Sequence, residues 1–348
     1  MMSIRKFRSF GATIFGLVSI ISISTPLAQA HKIAFEPVSV PIPIKKIAAH
    51  SYYAMGQAGV VSAANEGFNS NAGFVVTREG VVVFDTLGTP ALGEALRKKI
   101  RAITKAPIVR IVISHYHADH FYGLQAFKQY PVEVIAHKAV RNYLATDAPQ
   151  ARLLERRQSL FPWVNDTTIV IPPDRYLDHD ESFILGGLTF RIFHVGPAHT
   201  PEDLIMLVQE DGVLFAGDLM FAGRIPYVGN ADVNSWLSAI DRVVAFHPRV
   251  LVGGHGQHST NAAKDLALTR EYLTYLRNAM RRAVDDGMDF DQAYESTDWS
   301  RFNKLPAFDA ANRGNAFGTF LKAEQESLTP LNNMNRNTTQ SSERQPLR

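Results

Sequence analysis

The feature that most constrains the fold is a cluster of four ionisable side chains within six residues. His115, His117, Asp119 and His120 follow directly on the run 108–113, which is apolar except for one arginine. Such a run is typical of a strand buried on both faces. Residues two apart on extended backbone point the same way, so His115 and His117 can reach one ion. The cluster predicts a metal site at the end of a strand.

Three further candidate ligands stand beside glycines, each just past an apolar strand. They are His199 within 196–200, Asp218 within 215–218 and His255 within 252–256. Glycine lets the backbone turn sharply and approach a small polar centre closely. Because the chain has no cysteine, any metal must be held by nitrogen and oxygen donors, which favours zinc, with iron and manganese as alternatives.

The seven residues occur in the order of the His-x-His-x-Asp-His, His, Asp, His pattern, and the chain resembles the metallo-β-lactamase-fold hydrolases over residues 50 to 260. The resemblance implies an α/β fold, a four-layer αββα sandwich of two mixed sheets flanked by helices. It implies two metal ions, taken as Zn²⁺, that share a hydroxide able to attack a carbonyl. The implied ligands are His115, His117 and His199 on one ion, Asp119, His120 and His255 on the other, and Asp218 between them.

Other roles are predicted with less support from the pattern. Asp119 is a candidate proton relay. Asp85 either orients a ligand histidine, as the resemblance implies, or makes a turn at a strand end. Substrate candidates are Arg224, Tyr227 and Tyr122, whereas core packing is favoured for Phe121 and Phe221. The segment 161–163 either caps the cleft or packs on the body. The remaining histidines, namely His31, His50, His137, His179, His194, His247 and His258, are assigned no role.

The first thirty residues predict a signal peptide cut after Ala30. A basic start precedes the apolar stretch 10–23, and this stretch is shorter than the roughly 20 residues of a spanning helix. We therefore expect a periplasmic or secreted protein without a stable membrane anchor. The predicted organisation is a catalytic domain over 31–262, a helical extension over 263–330 packed on it, and a disordered tail over 331–348.

Charge excludes nucleic acid as the expected partner. Removing the three basic residues of the leader from the 36 in the chain leaves 33, which equals the number of acidic residues. The mature chain is therefore near neutral, without the basic excess that binding to a phosphate backbone requires. A small-molecule substrate is expected, and a ribonuclease of this fold is disfavoured.

The identity of residue 218 bears on which branch of the family the chain resembles. Many zinc β-lactamases have Cys or Ser at this position, whereas the Asp218 of this chain resembles the glyoxalase II, lactonase and SoxH-like branches. The blocks 223–232 and 308–316 resemble exported SoxH-like zinc hydrolases associated with sulfur oxidation or quinoprotein systems. The leading hypothesis is an exported dizinc hydrolase of a thioester, lactone or related carbonyl compound. The alternatives are a periplasmic zinc β-lactamase and an iron-dependent sulfur dioxygenase with one metal on His115, His199 and Asp218.

The local patterns predict the main elements. A β-hairpin is expected over 73–84 and strands over 108–113, 132–136, 183–185, 188–194, 204–208, 213–216 and 250–252. Helices are expected over 91–105, 122–129, 137–160, 233–246 and 262–285.

Overall fold

A computed structural model of the protein describes residues 33–229 and 231–328. The predicted leader and the predicted tail lie outside these residues. Within them the strands form two sheets, one of seven strands and one of five. None of the helices in this part of the chain is long and apolar enough to cross a bilayer.

The first sheet follows chain order, from β1 to β7. Its strands are β1 (Ile44–Lys46), β2 (Ser51–Ala54), β3 (Ala72–Val76), β4 (Val81–Phe84), β5 (Ile108–Val112), β6 (Glu133–His137) and β7 (Arg175–Leu177). The strands from β1 to β4 pair antiparallel, and those from β4 to β7 pair parallel. The predicted hairpin is confirmed as the β3 and β4 pair.

The second sheet has the order β12, β11, β10, β9, β8. Its strands are β8 (Glu181–Leu185), β9 (Leu188–His194), β10 (Leu204–Val208), β11 (Val213–Phe221) and β12 (Val250–His255). The strands from β8 to β11 pair antiparallel, whereas β11 and β12 pair parallel. Both sheets are therefore mixed, as the sequence predicts.

Alternating side chains place the two sheets face to face. All four residues of β4 are buried. Its Val82 and Phe84 lie in the core shared with the second sheet, where the rings of Phe84 and Phe215 stack with centroids 5.7 Å apart. Val81 and Val83 point the other way, into the core beneath the helices. A strand apolar on both faces thus marks the middle of the sandwich.

Helices cover the outer face of each sheet, which confirms the four-layer αββα arrangement. Over the first sheet lie α1 (Pro90–Ile103), α2 (Ala118–Phe121), α3 (Leu124–Phe127), α4 (Val140–Leu144) and α5 (Ala148–Ser159). Over the second lie α6 (Val233–Ala245), α7 (Ala262–Asp285), α8 (Phe290–Ser296) and α9 (Phe308–Leu328). Trp236 of α6, Leu273 of α7 and Phe320 of α9 share one core with Leu214 of β11. The boundary predicted between 262 and 263 falls at the start of α7 and stays a prediction.

Two predicted helices differ from the structure in their bounds. The predicted helix 122–129 is present but shorter, as α3 over Leu124–Phe127, because the Gly123 amide donates to the Leu87 carbonyl (3.0 Å) and separates α3 from α2. A Cβ at Gly123 would lie 1.8 Å from the Thr86 carbonyl oxygen, so glycine is required at this crossing. The segment 137–160 is divided into α4 and α5, and Pro149 stands in the first turn of α5, where its missing N–H costs nothing.

Candidate metal centre

Both sheets contribute to the site, and the Leu204 amide joins them by donating to the Ser114 carbonyl (2.9 Å). The first sheet supplies the loop after β5 and the helix α2, and the second supplies the loop between β9 and β10 and the strands β11 and β12. The side chains they bring together are His115, His117, Asp119, His120, His199, Asp218 and His255. All seven predicted ligands therefore converge.

Asp218 reaches the site from a different position than predicted. It lies within β11 and not beyond a strand end, because the pairing of β11 with β12 is irregular on both sides of Gly217. Gly217 has φ of 52°, a left-handed conformation that favours glycine. A Cβ at Gly254 would lie 1.8 Å from Asp218 Oδ1, so glycine on β12 leaves room for the carboxylate. The distortion directs Asp218 into the site.

The first group of ligand atoms comprises His115, His117, His199 and Asp218, all within 4.8 Å of one another. His199 Nε2 lies 3.0 Å from His117 Nδ1 and 3.3 Å from Asp218 Oδ2. His115 Nε2 lies 3.8 Å from Asp218 Oδ2. Three imidazole nitrogens and one carboxylate thus surround one small volume, as tetrahedral zinc requires.

The second group comprises Asp119, His120 and His255, again within 4.8 Å. Asp119 Oδ2 lies 3.6 Å from His255 Nε2 and 3.7 Å from His120 Nε2. Asp218 lies against this group too, with Oδ1 at 3.2 Å from His120 Nε2 and Oδ2 at 3.4 Å from His255 Nε2. Asp218 therefore stands between the two groups, where a shared ligand would be.

The donors fit metal ions because several have no other partner. His115 Nε2 and His120 Nε2 are buried without a hydrogen bond. The opposite nitrogens of these rings are engaged, His115 Nδ1 with Ser114 Oγ and His120 Nδ1 with Asp85 Oδ2, both at 2.9 Å. Buried polar atoms left unpaired cost free energy, and coordination of a cation removes that cost. Oriented rings with free inner lone pairs are what metal-binding histidines require.

Burial keeps the imidazoles of the first group neutral. It lowers the pKa of His115 and of His117 below the ordinary value, and it lowers the pKa of His199 to about 3. At neutral pH each of these rings has a lone pair to donate. The positive charge of Arg152 adds a smaller lowering to the pKa of His117.

The carboxylates of the site are ionised in spite of their burial. Burial alone would raise their pKa values, but the charges of His120 and His255 lower the pKa of Asp119 to about 2 and hold that of Asp218 well below its usual range. Against its own burial, the pKa of His120 is raised by Asp218, Asp119 and Asp85. The negative charge concentrated here calls for cations.

Asp85 connects the site to the end of β4. Its carboxylate accepts from the Ser114 amide and hydroxyl, both at 2.8 Å, and pairs with His120 Nδ1. Asp85 itself has φ of 61°. Asp85 has left-handed backbone where β4 ends, and its carboxylate contacts a predicted ligand, so the contact agrees with the interpretation that Asp85 orients a ligand histidine.

Asn69 is a site residue that the sequence reasoning missed. Its side-chain amide donates to Asp119 Oδ2 (3.1 Å), and its backbone carbonyl faces His255 Nδ1 at 2.7 Å. Its own Oδ1 is buried without a partner. Asn69 therefore positions two members of the second group. An asparagine in a loop upstream of β3 carries no sequence signal for this role.

Four of the predicted ligands, His117, Asp119, Asp218 and His255, reach a cleft of about 170 Å³. The rest of its wall is partly apolar, with Val60, Val61, Phe221 and Tyr227, and partly basic, with Arg152, Arg156 and Arg224. The cleft thus combines a metal-type floor, an apolar side and three guanidinium groups.

The substrate candidates divide into two sets. Arg224 and Tyr227 line the cleft, as does Phe221, whose ring stacks on His255 with centroids 4.8 Å apart. Tyr122 does not line the cleft; it is 1% exposed and packs with Phe121 in the core beneath the first sheet's helices. Proximity to the metal motif in sequence cannot reveal this, since the packing of α2 against the core decides which side chains reach the cleft.

Segment 161–163 is not part of the cleft wall. Phe161 is 68% exposed, and Trp163 Nε1 donates to the Pro37 carbonyl (3.3 Å). The sequence left open whether this segment caps the cleft or packs on the body of the protein. The contact of Trp163 with Pro37 agrees with packing on the body.

The blocks 223–232 and 308–316 contact each other. Asn315, on α9, donates to the Pro226 carbonyl and accepts from the Val228 amide, both at 2.8 Å. These bonds hold the loop that carries Arg224 and Tyr227. The C-terminal helices therefore position part of the cleft.

Comparisons with known proteins agree with this geometry. The family model for the metallo-β-lactamase superfamily matches residues 65–255. The chain is 23% identical to a linear primary-alkylsulfatase from Pseudomonas sp. over 62% of this chain and 48% of that protein. It is 24% identical to a type 2 metallo-β-lactamase from Elizabethkingia meningoseptica over 59% of this chain and 77% of that protein.

Solved structures of the same fold include an inverting sec-alkylsulfatase from Pseudomonas sp., with a TM-score of 0.63 and 18% identity over 83% of this chain and 52% of that one. A metallo-β-lactamase from Pontibacter korlensis aligns with a TM-score of 0.52 and 21% identity, covering 67% of this chain and 99% of that one. The chain spans about half the length of the alkylsulfatases it matches. With the family model covering more than half of it, the chain belongs to the metallo-β-lactamase superfamily.

Proposed function

We propose that the protein is an exported dinuclear zinc hydrolase that cleaves a small ester, thioester or lactone at its carbonyl group. The observation that carries the proposal is the convergence of seven nitrogen and oxygen donors in two groups beside a cleft. Asp218 Oδ2 lies within 3.4 Å of a histidine of each group, His199 and His255. The SoxH-like subgroup is proposed on the sequence resemblance of blocks 223–232 and 308–316.

The chain's own residues would hold and serve the metals. Two zinc ions bound here would lower the pKa of a shared water from about 16 to roughly 7 and supply hydroxide at neutral pH. Iron and manganese accept the same donors. We propose Asp119, which is 18% exposed at its side chain and held by Asn69 at the cleft floor, as the proton relay.

The burial and position of Arg224 favour a substrate that carries an anionic group. Its guanidinium is buried, donates through Nη1 to the Gly59 carbonyl (2.5 Å) and lies 3.5 Å from His255 Nδ1. No carboxylate in the described part of the chain pairs with it within ion-pair distance. A buried cation without a counter-ion favours an oxyanion partner, which its planar fork can bind through two N–H groups.

Alkyl sulfate hydrolysis is the second candidate function. It is supported by the similarity to two alkylsulfatases and by the position of Arg224 in the cleft. A zinc β-lactamase stays an alternative because of the β-lactamase relatives, although Asp218 occupies the position of Cys or Ser in many of them. The second ligand group, Asp119, His120 and His255, supports two metals over the single iron of a sulfur dioxygenase.

Metal analysis with a substrate panel tests the proposal. Purified protein should hold about two zinc ions. It should hydrolyse at least one member of a panel of thioesters, lactones, alkyl sulfates and nitrocefin. His117→Ala should lose metal and hydrolysis, whereas His247→Asn, at an exposed histidine, should retain both. Full activity in His117→Ala would exclude the mechanism, and oxygen uptake with glutathione persulfide would point to the dioxygenase.

Export is part of the proposal and has its own test. N-terminal sequencing of protein recovered from the periplasm or medium should begin at His31. A start at Met1 with the protein retained in the cytoplasm would contradict it.

A further inference from the structure

The three arginines of the cleft lie beside different ligand groups. Arg224 contacts His255, a member of the second group. Arg152, on α5, acts electrostatically on His117, a member of the first group, and on Tyr227 across the cleft. Positive charge is thus present at two separate places along the cleft.

Helix α5 presents two of its arginines to the cleft and uses the third elsewhere. Arg152 and Arg156 are four residues apart and so share one face of the helix. Arg157 points away and donates to the carbonyls of Asn165 (3.0 Å) and Thr168 (2.9 Å). Arg157 therefore serves the fold, and the other two do not have such backbone partners.

The two cleft-facing guanidinium groups retain unused donors. Each gives one hydrogen bond to Glu155, from Arg152 Nη1 at 3.0 Å and from Arg156 Nη1 at 2.9 Å. In the described part of the chain neither guanidinium donates a hydrogen bond to any other acceptor, although each carries five N–H donors. Glu155 fixes the pair and leaves it with net positive charge.

No other charge in the cleft wall offsets these arginines. The acidic residues that line it are Asp119 and Asp218, and both belong to the ligand groups. Because these two carboxylates would be bound to cations, they would not offset the positive charge at Arg224 and at α5. Clefts of one sign concentrate ligands of the opposite sign.

We propose that Arg152 and Arg156 form an oxyanion-binding site of their own, and that the preferred substrate carries a carboxylate, sulfate or phosphate group on the part that lies over α5. This site is separate from any anion held by Arg224. The inference rests on the proposed function, because it names the kind of molecule that the same cleft accepts. Val60, Val61 and Phe221 also line the cleft and suit a short apolar body.

Two esters with one leaving group test the site. They are 4-nitrophenyl acetate, which is neutral, and mono-4-nitrophenyl succinate, which adds a carboxylate to the acyl part. A third, 4-carboxyphenyl acetate, moves the carboxylate to the leaving group. The double variant Arg152→Gln/Arg156→Gln should lower kcat/KM by about tenfold, through KM, for one carboxylate-bearing ester and change it less than about twofold for the neutral one.

Matched controls separate the site from general charge effects. Arg281 and Arg270 lie outside the cleft; the Arg281 side chain is 46% exposed, as is that of Arg152, whereas that of Arg270 is 38% exposed against 14% for Arg156. Arg281→Gln/Arg270→Gln removes the same charge and should leave all three esters unaffected. Arg152→Lys/Arg156→Lys retains the charge and should recover part of the lost preference.

A binding measurement makes the outcome independent of turnover. Metal-loaded protein titrated calorimetrically with methyl succinate, sulfate and phosphate should bind at least one of them at a site that the glutamine double variant loses. If neither these esters nor any member of the thioester, lactone, alkyl sulfate and nitrocefin panel is hydrolysed, the proposed function fails while calorimetry still decides the anion site. Equal losses on neutral and charged esters, or anion binding unchanged in the double variant, would overturn the site.

Discussion

Two histidine clusters in this protein have opposite chemistry. In the metal centre, five imidazoles lie beside two carboxylates, and some buried ring nitrogens have no hydrogen-bond partner. His137 and His194 also lie together, with ring centroids 3.5 Å apart and planes 12° apart. There the Ala139 amide faces His137 Nδ1 and the Pro201 carbonyl faces His194 Nε2. Within the described ranges no carboxylate pairs with either ring.

The difference shows what makes imidazoles a metal site. Proximity alone does not, because stacked rings direct their nitrogens sideways to backbone groups and not toward a shared point. Convergent lone pairs and compensating carboxylates are both needed. Substitutions that remove one of these two conditions should weaken metal binding, so that the metal centre comes to resemble the stacked pair.

The largest effect is expected from Asp218→Asn. It removes the charge that both ligand groups share while preserving the shape of the side chain. Loss of several kcal/mol of charge stabilisation should reduce hydrolysis roughly a thousandfold and reduce the zinc content below two ions per chain. His137→Asn, which changes the other cluster, should retain both. Unchanged zinc content in Asp218→Asn would show that convergence of the histidines suffices without the carboxylate.

A smaller loss is expected from Asp85→Asn. The carboxylate pairs with His120 Nδ1 and accepts from the Ser114 amide and hydroxyl, and the amide can keep only part of this network. Zinc affinity, measured by competition with a chelator, should fall about 10- to 100-fold. An affinity equal to that of the wild type would mean that Asp85 matters only for the turn at the end of β4.

Asn69→Ala should act on the second group alone. The variant removes the 3.1 Å bond to Asp119 Oδ2 but leaves the backbone carbonyl that faces His255. Loss of one hydrogen bond to a charged group should lower kcat about tenfold, with both zinc ions retained. If the more loosely bound zinc is lost as well, Asn69 acts on metal retention more than on the position of Asp119.

The sequence predicts the ligand set because each ligand has a local signal. His115 and His117 end a buried run, and His199, Asp218 and His255 each have glycines or prolines that permit sharp turns. The apolar run 81–84 likewise predicts a strand, and all four of its residues are buried in the sandwich. These signals depend on neighbouring residues along the chain, so they can be recognised without knowledge of the tertiary structure.

What the sequence does not predict depends on contacts between distant segments. Arg152 and Arg156 have the spacing of one helix face, but only the packing of α5 decides that this face borders the cleft. Tyr122 lies in the core because of how the end of α2 packs beneath the first sheet's helices. Asn69 matters because its loop passes Asp119, fifty positions later in the chain.

The smallest predicted effect concerns the stacked pair and the pH dependence of stability. Burial and then the charge of His194 lower the pKa of His137 to about 4. The ordinary pKa of histidine is about 6.5, so between these values the unfolded chain binds a proton that the folded chain does not. The free energy of unfolding therefore falls as the pH falls through this window.

His137→Asn removes that term, so its urea-unfolding free energy should fall less than that of the wild type between pH 7 and pH 4.5. The difference should be about 1 kcal/mol, because solvent near the pair screens part of the charge. His247→Asn, at an exposed histidine, should follow the wild type. Metal loss at low pH affects all three proteins alike and cancels in the comparison. Parallel curves for His137→Asn and the wild type would mean that the pair accepts a proton as readily as free histidine, and the contrast with the metal centre would then depend on geometry alone.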